Sequence, residues 1–179
     1  MKSLRFPLIV LLGAAALVGV RAADTPALAK VEVVFSSSEK FTDAAQGQRG
    51  SDWGLEQNLD TLKDYLIRRA SPLVPAGAKL TVTFTDIDLA GEFEPWRSPG
   101  RGDNVRIVKD IYTPKMDLSF KLTDGSGKVI KEGTRHLTDM NFMNNLLPAS
   151  ERSESLAYDK QLLADWVNQE FSGLGKDKK

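Results

Sequence analysis

The stretch Asp86-Ile87-Asp88-Leu89-Ala90-Gly91-Glu92-Phe93-Glu94 has the most chemistry to offer. Asp-x-Asp on a strand points both carboxylates to one face, where the next loop can add an oxygen, and hard cations need several oxygens at once. Asp86, Asp88 and Glu92 are therefore candidate ligands for a divalent cation. With Gly91 at the sixth place the run echoes a calcium loop, yet Ala90 stands fifth and Arg97 twelfth, where a bidentate Glu is required. A solvated strand end whose carboxylates cap the following turn accounts for the same residues. A bound cation would activate water for a metal-dependent hydrolase, with Asp139 or His136 assisting.

A second constellation follows directly. Trp96, Arg97, Arg101, Arg106 and Lys109 place indole and cationic groups in one irregular stretch. Both group types are favoured at binding hot spots because they combine contact area with directed hydrogen bonds, so the set suits a partner or an anionic ligand. The competing account tucks Trp96 onto the core and pairs the arginines with Glu92, Glu94 and Asp103. Nucleophilic catalysis has little to stand on: cysteine is absent, and the single histidine, His136, lies in a strand pattern. Gly125-Ser126-Gly127 is a hairpin turn and not the Gly-x-Ser-x-Gly elbow of a serine hydrolase. Phe142 and Met143, in the segment after the fourth strand, read as core plugs, and Tyr158 and Asp159 on the last helix could face the same loops.

The elements that must position these groups follow from periodicity. Val31, Val33 and Phe35 alternate as a first strand. A helix begins near Ser51 or Asp52, either a suitable N-cap, and Leu55, Leu59, Leu62 and Leu66 make its apolar stripe before Pro72, Pro75 and Gly77 stop it. Residues 79–89 alternate Leu80, Val82 and Phe84 with threonines as a second strand. Residues 91–104, rich in Gly and Pro, are a long irregular connection of the kind often given to function. Met116, Leu118, Phe120 and Leu122 mark a third strand, joined through Asp124-Gly125-Ser126-Gly127 to a fourth over residues 128–139. Residues 140–152 are irregular, and a last helix runs over residues 155–171. The order β-α-β-β-β-α predicts an α+β fold, a single sheet of about four strands with two helices packed on one face.

Lys2 and Arg5, the apolar residues 6–20 and the small residues around Ala22 form a secretory signal peptide, cut after Ala22. The apolar run is too short to span a bilayer, and none later is longer. This organisation predicts a leader at 1–22, a single domain at 23–172 and a disordered charged tail at 173–179, with a periplasmic or secreted address. The leader takes three of the 24 basic residues and none of the 24 acidic ones. The slight negative balance left argues against a nucleic-acid partner. Without cysteine, stability rests on the core alone, and a thioether-linked lipid anchor is excluded.

Several segments together resemble one known family: Val31-Glu32-Val33, Lys40-Phe41-Thr42-Asp43, Thr85-Asp86-Ile87-Asp88-Leu89-Ala90-Gly91, Val108-Lys109-Asp110-Ile111-Tyr112, Asp139-Met140-Asn141-Phe142, and Tyr158-Asp159-Lys160 through Asp165-Trp166. They are similar to the bacterial domain-of-unknown-function family numbered 3016 over nearly the whole chain after the leader. The resemblance implies export by Gram-negative bacteria and carries with it no activity and no catalytic residues. The expectation is thus a periplasmic binding or accessory protein of the envelope, with no catalytic activity and no cofactor, whose partner is an envelope protein or polymer. The alternative is a divalent-metal-dependent hydrolase acting on an envelope component.

Overall fold

A computed structural model of the chain describes residues 30–47, 52–94, 105–145, 147 and 149–174. The elements are β1 (Lys30–Phe35), α1 (Leu55–Ala70), β2 (Lys79–Asp88), β3 (Glu92–Phe93), β4 (Arg106–Ile107), β5 (Lys115–Thr123), β6 (Val129–Thr138), α2 (Ala149–Arg152) and α3 (Ala157–Phe171). Four strands form one mixed sheet in the order β1-β2-β5-β6, and β3 and β4 form a separate two-stranded ribbon. β1 and β2 are parallel, as the intervening helix requires, and β2-β5 and β5-β6 are antiparallel.

The apolar alternation decides the layers. Leu80, Val82 and Phe84 of β2 and Met116, Leu118, Phe120 and Leu122 of β5 all face one side of the sheet. There they meet Leu59, Leu62, Leu66 and Ala70 of α1 and Leu162, Leu163, Trp166, Val167 and Phe171 of α3 in a single cluster. Phe120, Trp166 and Phe171 contact one another edge to face. The α+β class, the four-stranded sheet and the two long helices on one face are therefore as the periodicity indicates.

The element order is longer than expected, because β3, β4 and α2 occupy stretches read as irregular. Two-residue strands and a one-turn helix are too short to show a period. The start of α1 also differs: Gly54, in a left-handed conformation with φ 71°, precedes Leu55, with no side-chain cap. A Cβ at Gly54 would lie 2.5–2.6 Å from three side-chain carbons of Gln46, so close packing and not capping sets this helix end. Leu156, expected inside the last helix, instead precedes α3 in a left-handed conformation, φ 58°. Phe142 is buried as expected, whereas Met143 lies exposed because the 3-10 turn at Phe142–Asn144 carries it outward.

Candidate functional site

β2 changes register halfway along. Phe84 opposes Leu118 and Asp86 opposes Asp117, so a bulge falls at Thr85. Without it Asp86 would point into the core and Ile87 to solvent; with it Ile87 and Leu89 are buried and the carboxylates turn outward. The acidic run is then put to structural use. Asp86 accepts the backbone N–H and the hydroxyl of Thr42 at 2.6 and 2.7 Å, and the N–H of Ile87 at 2.9 Å. Asp88 pairs with Lys115 at 3.1 Å, and Glu92 accepts the N–H of Phe93 at 3.1 Å. Among the described residues no three His, Cys, Asp or Glu side chains are grouped so that they could hold a metal ion. His136 pairs with Asp117 on the open sheet face, and Asp139 closes its own turn by accepting from Asn141 and Asn145.

Asp86 fixes Thr42, and the next residue is drawn in. The backbone of Asp43 bridges the end of β2, donating to Ile87 and accepting from Leu89, both at 2.9 Å. Its carboxylate is buried and meets the guanidinium of Arg106, which donates from Nη2 to Oδ1 at 2.8 Å and from Nη1 to Oδ2 at 3.0 Å. This is the bidentate geometry that Arg alone provides. The same two nitrogens also donate to the carbonyls of Gly91 at 2.9 Å and Ala45 at 3.0 Å, and more distantly to Leu89. The guanidinium carbon lies 4.6 Å from the Phe93 ring centroid. Gly91 is necessary here: its φ is 91°, and a Cβ would come within 2.9 Å of the Arg106 stem and 3.0 Å of the Ile107 carbonyl.

Three consecutive N–H groups at this turn have three different acceptors: the Asp43 carbonyl for Leu89, the Asp159 carboxylate for Ala90 and the Tyr112 carbonyl for Gly91. Asp159 stands in the first turn of α3 and is buried. Loss of hydration pushes its carboxyl up to about 6, against the pull of the Ala90 N–H and the Arg106 charge. Alongside, buried Glu94 accepts from Lys109 Nζ and from the Tyr112 hydroxyl. Segments far apart in the chain thus converge on one buried polar knot at the end of β2.

Of the residues expected to form a contact surface, Trp96, Arg97 and Arg101 lie outside the described residues. Arg106 and Lys109 turn inward onto Asp43 and Glu94, because both acids are buried and need a cation. Asp159 accepts the Ala90 N–H at 3.0 Å, just past the end of β2.

Beside the knot lies a cleft of about 250 Å³ lined by Gln46, Trp53, Asn58, Phe93, Arg106, Ser155 and Leu156. Trp53 is 57% exposed at its edge. Gln46 donates from its backbone N–H to the Trp53 carbonyl at 2.7 Å, and its amide donates to Gln57 Oε1 and Asn58 Oδ1. Asn58 is itself anchored on the Ala44 carbonyl at 2.9 Å. Gln46, Trp53 and Asn58 escape a reading by periodicity; the available signal was a Trp off the leucine stripe beside a glycine.

Among the described residues no helix is long and apolar enough to cross a membrane. The profile of the family described as Protein of unknown function (DUF3016) matches residues 29–169. No curated protein and no solved structure matches the chain.

Proposed function

We propose a binding role for this chain, which belongs to the DUF3016 family of proteins of unknown function and so inherits no activity from its kin. It is an exported, non-catalytic binding protein of the bacterial envelope, working in the periplasm through the cleft beside Trp53. One observation carries this reading: the charged groups at the end of β2 are used in holding the fold, while a tryptophan stays exposed over a built polar and aromatic cleft. Large exposed aromatics cost hydration free energy and are favoured where a partner covers them. Export is supported by the leader, Lys2, Arg5 and the apolar residues 6–20.

The test is photo-crosslinking in the native host, with a photoreactive amino acid replacing Trp53 in one strain and Lys121, on the open sheet face, in another. An adduct from position 53 and none from 121 is expected. Adducts from 121 alone would move the interface to the sheet, and no adduct from 53 would overturn the cleft reading.

A further inference from the structure

We infer that the cleft is a saccharide site, built to take one neutral, hydroxyl-rich sugar ring of an envelope glycan. This deepens the reading of the cleft as the binding site and rests on it. The argument begins with charge. Arg106 is the only ionisable residue among the described residues that line the cleft, and its two terminal nitrogens already donate to both Asp43 oxygens and to the carbonyls of Gly91 and Ala45. An incoming phosphate or carboxylate would have to displace a bidentate, buried partner, and among the described residues no carboxylate lines the cleft to attract a cation. Charged ligands therefore gain little from these residues.

A wholly apolar ligand fits no better, since it would cover the Gln46 and Asn58 amides and the Ser155 hydroxyl without offering hydrogen bonds in return. The lining asks for a molecule with apolar faces and polar edges. Trp53 supplies a flat, exposed indole for a ring face, with Phe93 and Leu156 completing the apolar wall. Gln46 supplies an amide whose N–H groups are engaged by Gln57 and Asn58, so that its carbonyl is the acceptor offered to a hydroxyl or an acetamido N–H.

These groups are held in place before any ligand arrives. The Gln46 N–H to Trp53 carbonyl bond couples the two contact residues, and Gly54 lets the Gln46 side chain lie against the chain where any Cβ would collide with it. Leu156, also in the lining, keeps a left-handed backbone conformation, unfavourable for a branched side chain. Such preorganisation lowers the entropic cost of binding. The cleft volume of about 250 Å³ falls under the usual range for a complete small ligand, roughly 300–1,000 Å³, and suits a single ring of a longer chain.

The experiment titrates the chain from residue 23 to residue 179 with chitotetraose, a neutral N-acetylglucosamine oligomer, followed by tryptophan fluorescence and calorimetry, with inorganic phosphate as competitor. Saturable binding is expected, indifferent to phosphate. Trp53→Ala should weaken it by about tenfold or more, the worth of one well-placed aromatic contact, with an unchanged melting curve, and Gly54→Ala should weaken it by displacing Gln46. Trp53→Phe keeps part of the stacking face and should fall between wild type and Trp53→Ala. Absence of saturable binding, competition by phosphate, or equal affinity in Trp53→Ala would each overturn the saccharide assignment. An adduct from position 53 without chitotetraose binding overturns the ligand class alone; the absence of both overturns the cleft as a site.

Discussion

The open face of the sheet and the end of β2 are furnished with the same kinds of charged residue, and the two regions use them differently. On the open face Lys121 and Glu132 lie 3.9 Å apart with 55% and 61% of their side chains exposed, and Lys79–Glu32 is likewise bathed in solvent. At the end of β2, Arg106 and Asp43 are 16% and 1% exposed and joined by two hydrogen bonds. Water and salt screen the first kind of pair to a small net value, whereas removing one member of the second leaves a charge stranded out of water. The open face therefore keeps the sheet soluble, and the buried knot dictates where β3, β4 and the start of α3 must sit. That division explains why a charged stretch so suggestive of metal or anion chemistry is mostly occupied in architecture, leaving a cleft whose described lining is uncharged apart from Arg106.

The largest effect should come from breaking the knot. Arg106→Ala strands Asp43 and is expected to destabilise the protein by about 3–5 kcal/mol in urea unfolding, and Arg106→Lys should recover little because the two-pronged geometry is lost. A loss no greater than that of an exposed pair would erase the contrast between the two regions.

A second measurement sharpens the contrast through pH. The folded-state pKa of Asp159 is raised to about 6 from 3.8, so the folded protein holds a proton that the unfolded chain has released over that interval. Stability from this group is complete below the unfolded value, falls as pH rises from about 4 to about 6, and is level above it; the amplitude is about 3 kcal/mol. Asp159→Asn keeps an acceptor for the Ala90 N–H and should flatten that window in unfolding curves taken across it. An unchanged pH profile would show that Asp159 is hydrated and outside the knot. The smallest effect belongs to the open face: Lys121→Ala should change stability by no more than about 0.5 kcal/mol, a difference that thermal melts of the paired variants can bound.

The apolar architecture was readable because its signals are local. The leucine stripe of α1 and the alternation of β5 each repeat within one element, and burial follows directly from the repeat. The site was less readable because its members are joined by long-range contacts that leave no periodic trace. Asp43 meets a cation 63 residues away and Asp159 a backbone N–H 69 residues away. Arg106 and Lys109 were visible as cations in a loop, and only their buried partners reveal that they face inward.

What the residues determined by themselves is the layer structure: which strands alternate, which helices carry a stripe, and which side of the sheet is covered, since each follows from matching a local period to water's exclusion from apolar surface. What only the tertiary structure decided is the fate of the polar groups. The bulge at Thr85 turned the acidic run outward, the burial of Asp43 and Glu94 claimed Arg106 and Lys109, and the fit of Gln46 against Gly54 set Trp53 at the rim of a cleft. A charged side chain goes to whichever partner desolvation makes most necessary, and that partner is chosen in three dimensions.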